Sequence, residues 1–325
     1  MNSSPSRSRT GRRRFFALAA GTCGAWMTNC SRQSGVRSFS QSSQALGATV
    51  TMTVLHTDES IANSALEAAF AELERIESVM SLYRPESQIS RLNRDSVLEQ
   101  PDASLVEVLR YAVEVAERSD GAFDVTVQPL WTLKGVNPDA ATLALVDWRK
   151  IELDERRIKL APGMAITLNG IAQGFAADAA MRVMRAHGVE HALIDAGEFS
   201  AHGHNAENAP WRIGIQHPRE RGAFAALTQL ENRCLATSGD YETSFSDDFS
   251  RHHIFDPRTG GSPGEQASVS VLAPTAMSAD ALSTALFVLG SKRGMEFLRD
   301  YPGIDALFIL KDDQHVMTKG FARSI

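Results

Sequence analysis

Asp280 and Thr284 stand four residues apart in Met277-Ser278-Ala279-Asp280-Ala281-Leu282-Ser283-Thr284, so a helix through them places a carboxylate and a hydroxyl on one face. Two hard oxygens at that spacing, completed by water and phosphate oxygens, suit Mg2+, which seldom takes an all-protein cage. A helix capped at Ser278, with Asp280 complementing its dipole, accounts for the same spacing. Ahead of it, His253 leads into Ile254-Phe255-Asp256-Pro257-Arg258-Thr259-Gly260. This turn-rich stretch sets an imidazole on a loop, where it can serve as a general base or simply as a structural histidine.

Three further segments carry functional groups. In Thr167-Leu168-Asn169-Gly170-Ile171-Ala172-Gln173-Gly174 a strand passes through Asn-Gly into a helix. Free N–H groups at the helix start, and a glycine without Cβ, would let the backbone approach a pyrophosphate. The glycine-rich dinucleotide fingerprint and the P-loop lysine are both absent, and a tight strand-to-helix turn is the alternative. In Ser119-Asp120-Gly121-Ala122-Phe123-Asp124, a turn feeding a strand, Asp124 either meets a heterocycle edge or bonds its own backbone. Tyr83, in the polar loop 81–93, is an aromatic able to stack on a planar ring, or part of a solvated helix end.

These groups need a scaffold. Strict alternation over 48–56 predicts a half-buried strand, and apolar residues at helical spacing predict a helix over 60–80. Further helices are expected at 105–118, 171–187 and 278–290, and strands at 165–168, 191–195, 212–216, 268–273 and 305–310. Strands and helices intermix without steady alternation, which predicts an α+β fold in one domain.

The net charge of −6 argues against non-specific binding to nucleic acid. It also leaves a phosphate-bearing ligand in need of backbone N–H groups or a divalent cation. The charge is unevenly spread: no Asp or Glu precedes Asp58, and Arg12-Arg13-Arg14 abuts a short apolar stretch, the order of a twin-arginine export signal. Residues 1–45 are read as that signal plus a Ser/Gln-rich flexible linker, and 46–325 as the folded domain. A periplasmic location follows, and Cys23 and Cys30 leave a lipid anchor open. Cys234 is then the remaining thiol, expected in the core.

Taken together, the blocks Ala236-Thr237-Ser238-Gly239-Asp240-Tyr241, His253-Ile254-Phe255-Asp256-Pro257-Arg258-Thr259-Gly260 and Ala279-Asp280-Ala281-Leu282-Ser283-Thr284 resemble those of the ApbE family, the FAD:protein FMN transferases. The resemblance implies Mg2+-dependent cleavage of FAD, with FMN passed to a Thr or Ser hydroxyl of a target flavoprotein and AMP released. It implies that Leu46, Tyr83, Ala122, Phe123, Asp124, Thr167, Gln173 and Ile254 contact FAD. Gly170, Asp280, Ser283 and Thr284 would then lie at the metal, and His253 would help deprotonate the acceptor. Thr167 and Gln173 replace an Asp and a Lys usual in the family, and Leu46-Gly47-Ala48 replaces Met-Gly-Thr. The Leu-Asn-Gly-Ile-Ala-Gln-Gly variant is similar to the NosX-type branch, which makes the membrane flavoprotein serving nitrous-oxide reduction one candidate acceptor. An FAD pyrophosphatase and a non-catalytic periplasmic FAD-binding assembly factor are the alternatives.

Overall fold

The computed structural model describes residues 35–321. In chain order its strands and helices are β1 (Arg37–Ala45), β2 (Ala48–His56), α1 (Glu59–Met80), α2 (Gln88–Asp95), β3 (Val97–Glu99), α3 (Ala103–Arg118), α4 (Ala140–Leu143), β4 (Glu152–Leu153) and β5 (Arg157–Lys159). There follow α5 (Ala172–Ala186), β6 (His191–Asp195), β7 (Phe199–His202), β8 (Trp211–Gln216), β9 (Phe224–Leu230), β10 (Cys234–Gly239), β11 (Gln266–Ala273), α6 (Ala276–Phe297), β12 (Asp305–Leu310) and β13 (His315–Met317). This is the expected α+β architecture.

One eight-stranded sheet in the order β1-β2-β6-β7-β10-β11-β12-β13 carries the fold, and every neighbouring pair is antiparallel. Alternation along the strands splits their apolar side chains between two cores. Val50, Met52 and Val54 of β2, Val269 and Val271 of β11 and Phe308 of β12 face the layer formed by α1, α5 and α6. Leu55, Leu235, Leu272, Leu307 and Ile309 point the other way and pack under the β8–β9 hairpin, against Trp211, Ile213, Ile215 and Leu230. Strand β11 is buried along its whole length because both faces are covered. Cys234 is buried in the helical core, and burial pushes its thiol up to about 12, so it is an inert core residue.

Four expectations give way to the structure. The export signal lies outside the described residues, but the linker reading fails for Arg37–Ala45, which is strand β1. Its Ser and Gln side chains form a cross-strand ladder, with Ser40 Oγ to Thr53 Oγ1 at 3.1 Å, Ser42 Oγ to Thr51 Oγ1 at 2.9 Å and Gln44 Nε2 to Thr49 Oγ1 at 2.6 Å. Residues 165–168 form no strand, because Asn93 takes their ladder bonds, donating to the Ile166 carbonyl at 2.8 Å and accepting from the Ile166 N–H at 2.7 Å. The stretch after Asp124 is a 3-10 helix, Val125–Leu133, rather than a strand. The loop 81–93 contains most of α2, which Ser87 caps.

Candidate functional site

The cleft of about 280 Å3 opens where α5, α6 and β10 converge with the loops on either side. One wall is set by α5 and α6, which cap each other. Asp178 of α5 accepts from the Ala276 and Met277 N–H groups at 2.8 and 2.9 Å, at the start of α6. Asp280 of α6 accepts from the Gly174 N–H at 3.0 Å, in the first turn of α5. Ile171, at the α5 N-cap, supplies no side-chain bond of its own. Each helix therefore seals the other's exposed donors with a carboxylate. The approach this requires is close: a Cβ at Gly174 would collide with the Ala276 carbonyl oxygen.

That reciprocity alters two sequence expectations. The α6 cap is Thr275, which accepts from the Ser278 N–H, and not Ser278. The expected row of free N–H groups at the start of α5 is partly spent, because Ala172 donates to the Leu168 carbonyl at 2.8 Å and Gly174 to Asp280.

Next to Asp280 lies a cluster of oxygens. Ser238 of β10 stands with its Oγ 2.7 Å from Ser283 Oγ and 3.2 Å from Thr284 Oγ1. Gly170 completes the pocket floor, since a Cβ there would come within 2.9 Å of Thr284 Oγ1 and 3.5 Å of Phe123. Asp280, Thr284, Ser238 and Gly170 all line the cleft. Ser283 does not: it is buried behind Ser238, with its Oγ donating to the Asp280 carbonyl at 2.9 Å. Among the described residues no group of three or more His, Cys, Asp and Glu side chains is placed to hold a metal. The donors here are one carboxylate and neutral oxygens, a set that fits Mg2+ sharing its shell with substrate phosphate and fits neither zinc nor copper.

The opposite wall is built from loops. His253, whose N–H donates to the Thr243 carbonyl at 3.0 Å, lies with its ring centroid 6.0 Å from that of Trp131. Trp131 in turn meets Phe255 edge-on at 6.0 Å. The Asp256–Gly260 turn is held by Asp256, which accepts from the backbone N–H and the guanidinium of Arg258, and Gly260 adopts φ 75° with no room for a Cβ against Pro138. Asp240, fully buried, anchors the start of this loop. Arg219, from the β8–β9 turn, reaches it bidentately at 2.7 and 2.8 Å, and Lys311 lies 3.5 Å away.

At the mouth sit Leu46, Gly47 and Tyr83. Leu46 and Gly47 form the two-residue turn of the β1–β2 hairpin, both with positive φ (53° and 76°), and the Leu46 N–H donates to Glu77 Oε2 at 3.1 Å. Tyr83 is 88% exposed, which leaves its ring accessible for stacking. Ala122, Phe123, Thr167, Gln173 and Ile254 line the interior. Asp124 lines it too, and burial raises its pKa, although its oxygens accept from Thr126 N–H and Oγ1 and from Trp148 N–H. The turn-capping reading of Asp124 is therefore realised. Gln173 Nε2 donates to the Ala196 carbonyl at 3.3 Å, which brings α5 against the loop after β6.

The structure thus brings every expected site residue except Ser283 to one cleft. It adds Trp131, Glu198, Ser238, Glu242 and Thr243. Ser238 was within reach of sequence reasoning as the hydroxyl of Thr-Ser-Gly-Asp-Tyr. Glu198 and Trp131 carry no local signal beyond being a carboxylate and an aromatic near turns.

The ApbE family model matches residues 46–308. The chain is 34% identical to the FAD:protein FMN transferase of Treponema pallidum, over 92% of this chain and 91% of that one. It is 33% identical to the enzyme of the same name from Haemophilus influenzae, over 77% and 79%. Among solved structures, the ApbE protein of Thermotoga maritima superposes with a TM-score of 0.80 at 29% identity, covering 89% of this chain and 99% of that one. The flavin transferase ApbE of Vibrio cholerae gives 0.78 at 26% identity, covering 89% and 100%.

Proposed function

The chain belongs to the ApbE family of FAD:protein FMN transferases, and on that premise we propose that its cleft holds the FAD pyrophosphate against Asp280, Thr284 and Ser238 while His253 serves the acceptor hydroxyl. The observation that carries this assignment is the meeting, in one cleft, of a hard-oxygen cluster on the helical wall and an imidazole on the loop wall. A Thr or Ser oxygen of the acceptor protein forms the new bond to the FMN phosphorus as the bond to the AMP oxygen breaks. The hydroxyl proton passes to the imidazole of His253, and AMP leaves as the anion. The chain's residues chiefly position groups, as phosphoryl transfer requires.

Asp280, Thr284 and Ser238, with Gly170 beside them, are the residues that would hold Mg2+, which when bound supplies the positive charge that an acidic protein otherwise lacks around a pyrophosphate. Tyr83 and Phe123 offer ring faces for the flavin end of the substrate. Incubation with FAD, Mg2+ and a candidate flavoprotein, followed by mass spectrometry of the protein, tests the reading. The expected result is a mass gain of one FMN on the acceptor with stoichiometric AMP. Free FMN without that gain would make the protein a pyrophosphatase, and neither product would make it an FAD-binding assembly factor.

The working location is the periplasm, reached by the twin-arginine route, on the support of Arg12-Arg13-Arg14 and the apolar stretch that follows. Lysines in place of Arg12 and Arg13 are expected to leave the protein in the cytoplasmic fraction. The membrane flavoprotein of nitrous-oxide reduction is the first acceptor to try, on the support of the Leu168–Gly174 variant alone.

A further inference from the structure

We propose that the outer edge of β1 is the docking rail for the acceptor protein, which adds an extended segment to the sheet as a ninth strand and so delivers its hydroxyl to the cleft. This rests on the transferase reading, since it presupposes a protein acceptor. The two edges of the large sheet are β1 and β13. Strand β13 is three residues long, a usual way of blunting an edge. Strand β1 runs for nine residues, pairs with β2 without a register shift, and is exposed along most of its length. From Ser38 to Ala45 it holds no charge and no proline, the devices that normally discourage pairing.

The direction in which its backbone points follows from the turn. Ala45 and Ala48 flank a two-residue loop and form a hydrogen-bonded pair, so Ala45, Ser43, Gln41 and Phe39 spend their backbone groups on β2. The alternate residues Ser38, Ser40, Ser42 and Gln44 form the non-hydrogen-bonded pairs, in which side chains lie closest. This is why Ser40, Ser42 and Gln44 reach Thr53, Thr51 and Thr49. Their N–H and C=O groups face outward. The rail ends at Leu46 and Gly47, which line the cleft. A segment paired with β1 would thus leave the edge at the mouth of the cleft, and main-chain bonds give it affinity without demanding a particular sequence.

Ser42→Pro tests this, because proline removes one outward N–H while an edge strand tolerates it. With the flavoprotein domain that gains FMN in the parent's assay as probe, KM for the acceptor should rise at least tenfold. The FAD dissociation constant should stay at the parent's value, and the melting temperature should fall by no more than the loss of the exposed Ser42–Thr51 hydroxyl pair brings. In parallel, amide exchange at Ser38, Ser40, Ser42 and Gln44 should slow at least tenfold when that domain is added. An unchanged acceptor KM in Ser42→Pro overturns the proposal. So does slow exchange of these four amides in the free enzyme, which would mean that residues 1–34 or a second copy already cover the edge. Should the proline variant lose FAD binding or melt early, the exchange measurement on the parent decides alone. Failure of the parent to flavinylate any acceptor is a different result and falls on the function itself.

Discussion

The two walls of the cleft are held by different physics. The helical wall is fixed by backbone contact: α5 and α6 meet at Gly174, each capped by the other's aspartate, and the shared face of Asp280 and Thr284 follows directly from helix geometry. The loop wall is fixed by side chains that arrive from far along the chain, with Asp240 clasped by Arg219 and Lys311, and Trp131 leaning on His253 and Phe255. A reaction that mostly positions phosphate needs rigidity on the first wall, where charge is balanced. On the proposed assignment the second wall meets the acceptor, and loops suit that task.

The contrast can be broken first at the buried carboxylate of the loop wall. Asp240→Ala leaves Arg219 and Lys311 without their shared anion, and a loss of about 3–5 kcal/mol in unfolding free energy is expected. Denaturant titration would show it, and a loss below the range of an exposed ion pair would mean that the loop wall is held some other way. On the helical wall, Asp280→Ala should cut FMN transfer by roughly a hundred- to a thousandfold. It should also cost about 1–3 kcal/mol, because the Gly174 N–H loses its acceptor. Unchanged turnover would remove Asp280 from the chemistry.

His253→Ala should slow transfer on the order of a hundredfold while FAD affinity, read by flavin fluorescence, changes much less. An equal fall in both assigns His253 to binding. Gly174→Ala forces a methyl against the Ala276 carbonyl and should cost about 1–3 kcal/mol, with turnover falling alongside as the two helices part.

The smallest effect is a pH dependence behind the helical wall, at Asp195, whose neighbour Ala196 accepts from Gln173. Burial raises the Asp195 carboxyl to about 6, from an ordinary 3.8, so ionising it works against the fold. The stability tied to its neutral form is whole below pH 3.8 and is lost as pH rises through 6. Asp195→Asn should therefore melt higher than the parent above pH 7, by about 1–2 kcal/mol in stability, with the gap closing toward pH 4. A gap that is independent of pH would mean that Asp195 does not titrate there.

How much of this was legible depends on where each partner lies. Helices α1 and α3 announce themselves because their apolar stripes and caps are local, α5 does so by its apolar stripe alone, and Asp280 and Thr284 share a face because their spacing is local too. The Asp178 and Asp280 caps could not be read, because each carboxylate meets a backbone about a hundred residues away. Strand β1 looked like a linker because its stabilising contacts are hydroxyl ladders and not an apolar face. Residues 165–168 read as a strand because they are a short, mostly apolar run with β-branched Ile166 and Thr167, yet Asn93 supplies the hydrogen bonds that a neighbouring strand would have made. Trp131 carries no local signal in the sequence, since only its place across from His253 gives it meaning.

The strand order of the large sheet also sets a timetable for folding. The strands lie in the order in which the chain makes them, and hairpins such as β1–β2 can close locally within microseconds, while β7 and β10 pair across the short β8–β9 excursion. The joint between β2 and β6 is different, since residues 57–190 must be looped out before it forms. The walls of the cleft come from that excursion and from the chain on either side of it, so the cleft is complete only after the slowest pairing is made. Uptake of FAD by a refolding chain would then report the end of folding and not its beginning.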